Sequence, residues 1–187
     1  MMARAEARAT QVDLSAEEFS AKARAEIELA DRLMADARLP RSTGSLFATA
    51  LLVKGVSGPA ETSGGDAISG PDGPAAEKAL TALGFEAESV FRVVSRDTPG
   101  ADARVSERLR LVIEAVDPDV VIALDRVAGA DAARALGVAC PQSGATVVVR
   151  GRAMLVLDGL EDALADEALK RRVWDQFRKL APRRRPW

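Results

Sequence analysis

Apolar positions along this chain switch repeatedly between helical spacing and short unbroken runs. Ser15-Ala16-Glu17-Glu18 has the form of a capping box, flanked by Leu14 and Phe19 as a hydrophobic staple. Beyond it Phe19, Ala23, Ile27, Ala30 and Met34 recur near helical spacing, predicting a helix that Leu39-Pro40 ends. The run from Leu46 to Val53 fits a buried strand, and residues 55–74 form a loop rich in Gly, Ser and Pro. A helix follows from Pro74 to Leu83, with proline in its first turn and Gly84 past its end. Val90 to Val94 predicts a second strand, and Ala103 to Val116 a helix with Leu109, Val112, Ile113 and Val116 on one face. Asp119 to Leu124 is a third strand, and the helix from Val127 to Leu136 stops at Gly137. Thr146–Arg150 and Ala153–Leu157 are strands joined around Gly151. The last helix, 166–180, carries Leu169, Val173, Trp174, Phe177 and Leu180, predicted as the face that docks on the sheet.

Strands alternating with helices imply an α/β fold: three α/β/α layers around a mostly parallel sheet of four to five strands. The predicted organisation is a disordered arm over 1–14, an N-terminal helix over 15–40, one domain over 41–181 and a basic tail over 182–187.

Composition narrows the chemistry. Two Trp, five Phe and no Tyr leave the core to Ala, Leu and Val, with few platforms for stacking a base. Net charge is −2, yet the segment 170–187 carries +7, leaving −9 on the rest. Histidine is absent, which removes the commonest general base. Cys140 is the single cysteine, so neither an internal disulfide nor a cysteine-held zinc or iron–sulfur centre is expected. Lacking an activating histidine, Cys140 is expected to pack as a small apolar residue. With no apolar stretch of about 18 residues and no apolar leader, the chain is expected to be cytoplasmic and without a membrane partner.

A series of segments in register resembles the iron–sulfur type of uracil-DNA glycosylase. Pro71-Asp72-Gly73-Pro74-Ala75-Ala76-Glu77 is similar to the stretch entering the family's helix after its phosphate loop. Val90-Phe91-Arg92-Val93-Val94-Ser95-Arg96-Asp97-Thr98-Pro99 sits where the family has a strand ending Asn-Val-Val-Lys-Cys-Arg-Pro. Asp117-Pro118-Asp119-Val120-Val121-Ile122-Ala123-Leu124 resembles its Pro-x-Val-Ile-Val-Ala-Leu-Gly unit, and Ala168 to Trp174 its closing helix. The likeness spans residues 51–180 and implies a uracil-DNA glycosylase-like fold.

The departures fall on the chemistry the family needs. Its Gly-Glu-x-Pro-Gly motif corresponds to Lys54-Gly55-Val56-Ser57-Gly58, so the water-polarising carboxylate falls at Gly55. The uracil-stacking Phe falls near Ile68, the pyrimidine-reading Asn at Arg92, and the His-Pro-Ser segment near Leu157-Asp158-Gly159-Leu160. The four cluster cysteines fall near Met34, Ala37, Arg96 and Val105. Losing one positioned donor commonly costs about 3–4 kcal/mol of transition-state stabilisation, and here several are replaced together. Asp66, Asp72 and Asp158 are the remaining candidates for acid–base work, against the plainer reading of loop aspartates as turn residues.

The resemblance with lost catalytic groups implies a non-catalytic accessory protein of DNA replication or repair, a role that the psi subunit of bacterial DNA polymerase III plays on a similar scaffold. Partner or DNA contacts are expected from Arg171, Arg172, Arg178, Arg183, Arg184, Arg185 and Trp187, unless the tail merely solubilises the chain. Gln11 and Leu14 resemble a short sliding-clamp peptide, with helix capping as the alternative. The glycine-rich loop could cradle a phosphate or simply connect two elements. The competing functions are a divergent glycosylase using the aspartates and a partner-free DNA-binding protein.

Overall fold

The computed structural model describes residues 2–100 and 102–180. Residues 182–187, with Arg183, Arg184, Arg185 and Trp187, lie outside them.

The first helix, α1 (Met2–Arg32), begins thirteen residues before Ser15, correcting the disordered arm expected over 1–14. The reason is local: residues 2–14 are rich in Ala and contain neither Gly nor Pro, so nothing interrupts helix propagation. Ser15 is therefore interior to α1 rather than its cap, and Gln11 and Leu14 fall on the same helix. At its other end the chain tightens into three-residue turns, Leu33 N donating to Ala30 O and Met34 N to Asp31 O, ahead of Leu39-Pro40.

The described residues form a six-stranded sheet of β1 (Thr43–Gly44), β2 (Ala50–Val56), β3 (Val90–Arg96), β4 (Val120–Ala123), β5 (Thr146–Val149) and β6 (Arg152–Val156), in the order β1-β3-β2-β4-β6-β5. The sheet is mixed, with one strand more than expected: β3, β2, β4 and β6 are parallel, while β1 and β5 pair antiparallel at the edges. The β5–β6 reversal follows from its two-residue turn, where Arg150 (φ 49°) and Gly151 (φ 85°) are both left-handed, the geometry that matches strand twist in a tight hairpin. β2 starts four residues later than expected because residues 46–47 form a turn, Leu46 packing against the core; Phe47 is exposed and its ring stacks on Phe19 at 5.0 Å.

Alternate residues of the central strands feed two cores. Leu51, Val53, Val121, Ala123 and Met154 face α4 (Ala103–Val116) and α5 (Arg126–Leu136), with α1 packed outside through Ala23 and Ala30. Leu52, Ile122, Leu155 and Leu157 face α3 (Asp72–Ala82), α6 (Leu160–Ala163) and α7 (Glu167–Phe177). Each fully buried Leu or Val contributes about 1.5–3 kcal/mol. A short helix, α2 (Pro59–Thr62), interrupts the glycine-rich loop.

Arg108, 1 % exposed, ties α4 to its surroundings: it donates to the Val94 carbonyl at 2.8 Å and to Asp31 of α1 at 3.0 Å. No described helix is long and apolar enough to cross a membrane. Cys140, which follows the end of α5, is exposed rather than packed as expected.

Candidate functional site

The chain leaves β2 for β3 on one side, then returns past β2 to β4 on the other. Crossovers departing in opposite directions open a crevice at the carboxyl ends of β2 and β4, the usual ligand position in open α/β sheets. A cavity of about 330 Å³ lies there. Lys54 and Val56 reach it from β2, residues 124–127 from the turn after β4, residues 158–162 from the turn after β6, and Asp72 from the first turn of α3.

Lys54 is the one charged residue of β2 and is 4 % exposed. Its Nζ lies 2.9 Å from Asp72 Oδ2, 2.9 Å from Glu161 Oε2 and 3.4 Å from Glu61 Oε2. Burial by itself lowers the ammonium's pKa, but the hydrogen bonds it donates to Asp72 and Glu161 outweigh that and hold it well above the usual lysine range. A lysine so held stays protonated and is no nucleophile at neutral pH. Burial pushes the Glu61 carboxyl up, yet backbone hydrogen bonds and the Lys54 charge prevail and keep it below its ordinary value. Asp72 is 1 % exposed, and its Oδ1 accepts no hydrogen bond among the described residues.

The loop amides that could cradle a phosphate are engaged by carboxylates. Gly55 N donates to Asp125 Oδ2 at 2.8 Å, and Gly58 N to Glu61 Oε2 at 2.8 Å. Asp125 also caps α5, accepting from Ala128 N. This close approach explains glycine at 55: a Cβ there would sit 2.5 Å from Asp125 Oδ1 and 2.6 Å from the Val127 Cβ.

Of the candidate aspartates, the structure brings Asp72 and Asp158 to one crevice and leaves Asp66 off it. Asp66 heads a turn in which its carbonyl accepts from Ser69 N. Asp158 is clasped from α7: Gln176 Nε2 donates to Asp158 Oδ2 at 2.7 Å, Gln176 Oε1 accepts from Asp158 N, and Arg172 Nε lies 3.4 Å from Oδ2. Ile68 is a buried core residue in left-handed backbone (φ 57°), not a wall of the cavity. Arg92, midway along β3, pairs with Glu77 of α3, and burial lowers its pKa. Lys54 and Gln176 were not singled out by the sequence reading; a lysine closing an apolar strand run was the available signal for the first.

Sequence neighbours of the four positions where the resemblance expects cluster ligands are joined by polar contacts. Arg104 pairs with Asp36 at 2.8 Å and Asp102 at 2.8 Å and reaches the Leu33 carbonyl, while Arg38 N donates to Asp97. The side-chain hydrogen bonds from Arg104 hold the Asp36 and Asp102 carboxyls below the usual range. Beside it, buried Arg96 pairs with fully buried Asp131 of α5.

On α7, Val173 and Phe177 are buried, as is Leu180 just beyond it, but Trp174 is 38 % exposed, correcting its expected place on the docking face. It projects about a third of a turn away from that stripe. There it shares the outer face with exposed Lys170, Arg171 and Arg178. Lys170, Arg172 and Arg178 have carboxylate partners in Glu167, Asp158 and Asp175, whereas Arg171 donates to the Glu167 carbonyl. No protein-family model matches this chain, and no curated protein matches it in sequence.

Proposed function

We propose that this is a non-catalytic protein on a uracil-DNA glycosylase-like scaffold, acting as an accessory factor in DNA replication or repair. One observation carries the reading. The two places where the resemblance expects chemistry, the crevice and the cluster corner, are both junctions of sequence-distant segments, and in each a cation is already held by two or more carboxylates. Base excision needs a group to polarise water and a donor to steady the departing anion. Lys54 is committed to three carboxylates, and no histidine exists to replace it.

Contact with a partner falls to the outer face of α7, where Trp174 offers an apolar anchor between Lys170, Arg171 and Arg178. The crevice is a poor entry for DNA, since carboxylates outnumber cations along its walls.

Incubating the full-length protein with uracil-containing single- and double-stranded DNA tests the catalytic half of the proposal, with no free uracil above a buffer control as the expected result. Asp72 and Asp158 sharing one crevice is the observation favouring a divergent glycosylase. Release that disappears in Asp72→Asn or Asp158→Asn would establish that enzyme instead. For the accessory half, capture of replication or repair proteins should weaken several-fold when Trp174 and Arg171 become Ala; undiminished capture would refute the α7 contact.

A further inference from the structure

We infer that residues 181–187 join the outer edge of β5 as a further strand, parallel to it. β5 ends the sheet, with β6 as its one strand neighbour among the described residues. The turn between them is two residues long, so Val149 and Arg152 exchange both backbone hydrogen bonds, as do Val147 and Met154. That alternation turns the amides and carbonyls of Thr146 and Val148 outward, where no described residue hydrogen-bonds them. A bare edge of this kind is normally blunted by charge or proline. Thr146-Val147-Val148-Val149 has neither, and Val148 is 62 % exposed. β1, at the opposite edge, is only two residues long.

Two observations name the occupant. The first is where α7 delivers the chain. Val147 and Val149 face the α4–α5 core, which puts Thr146 and Val148 on the face of the sheet that carries α7. The end of α7 is fastened beside the start of β5. Lys179 Nζ donates to the Gly144 carbonyl at 2.7 Å, and a Cβ on Gly144 would meet Gln176 Cγ at 2.9 Å. Seven residues beyond Leu180 reach about 23 Å when extended, and β5 spans about 14 Å. The second observation is proline spacing. Pro182 and Pro186 share parity with Arg184, so an extended segment turns all three to one side and presents the Arg183, Arg185 and Trp187 amides on the other. The amide-bearing side can pair with β5. The side left outside keeps one amide, that of Arg184, and is a poor template for any further strand.

The strand would form whether or not the protein serves DNA metabolism. Amide hydrogen exchange followed by NMR on the 187-residue protein tests it. The Val148 amide should exchange about ten-fold more slowly in the parent than in Arg185→Pro, which removes an inward donor. Arg184→Pro, at an outward position, should leave that protection intact, and dilution should not change it. Rapid exchange at Val148 in the parent protein or equal losses in the two proline variants overturns the assignment. Protection that rises with protein concentration as sedimentation shows dimers also overturns it, giving the edge to a second copy of this chain.

Discussion

Lys54 sits where removal of one charge leaves the largest imbalance. Replacing it with Met strands buried Asp72 and Glu61 without a counter-ion, so Lys54→Met should lose about 3–5 kcal/mol in urea unfolding. Glu161, whose side chain is 43 % exposed, shares its partner with water, and Glu161→Gln should cost no more than about 1 kcal/mol. Gly55 makes the opposite point. Restoring the resembled family's carboxylate there would drive a side chain into Asp125 and Val127. Gly55→Glu is expected to lose about 1–3 kcal/mol of stability and to release no uracil, read by denaturant melts and a release assay.

Among the elements, α4 was legible end to end, because four apolar residues at helical spacing lie between the Asp102 cap and the left-handed Asp117. The β5–β6 hairpin was legible from its glycine, and the end of α5 from Gly137, which is left-handed at φ 72°. Where packing rather than propensity decides, the sequence was a weaker guide. Trp174 is apolar, yet it lies off the buried stripe of a helix only eleven residues long. Gly129 shows how closely α5 approaches β6, since a Cβ there would sit 2.5 Å from a Val156 methyl. Gly129→Val should therefore lower stability by about 1–3 kcal/mol. Trp174→Ala should remain within about 1 kcal/mol of the parent protein, because little buried area is lost.

For the whole molecule, the ionisable groups imply a flat stability profile around neutrality. Arg104 holds Asp36 and Asp102 below their ordinary values, and Glu61 is also lowered on balance. Groups with depressed pKa stabilise the fold above their unfolded values, and that contribution is lost as pH falls through the folded ones. Lys54, shifted upward, stabilises fully below the unfolded lysine value and loses its contribution only in strong alkali. With no histidine to titrate between them, the melting temperature should hold level from about pH 5 to 8 and fall below about pH 4. A melting curve that declines steadily between pH 7 and 5 would contradict these assignments.

The sequence by itself determined the α/β class and the main helices and strands, because periodicity and residue type are local properties. Tertiary structure decided that the sheet is mixed, that α1 runs through the expected arm, and that Asp72 and Asp158 share a crevice while Asp66 does not. It also placed Lys54, Glu61, Asp72 and Glu161, drawn from four separate segments, within one charge cluster, of which only Glu161 is exposed. Charge neutralisation depends on distance and burial, and those exist only once the parallel strands bring remote segments to a common edge.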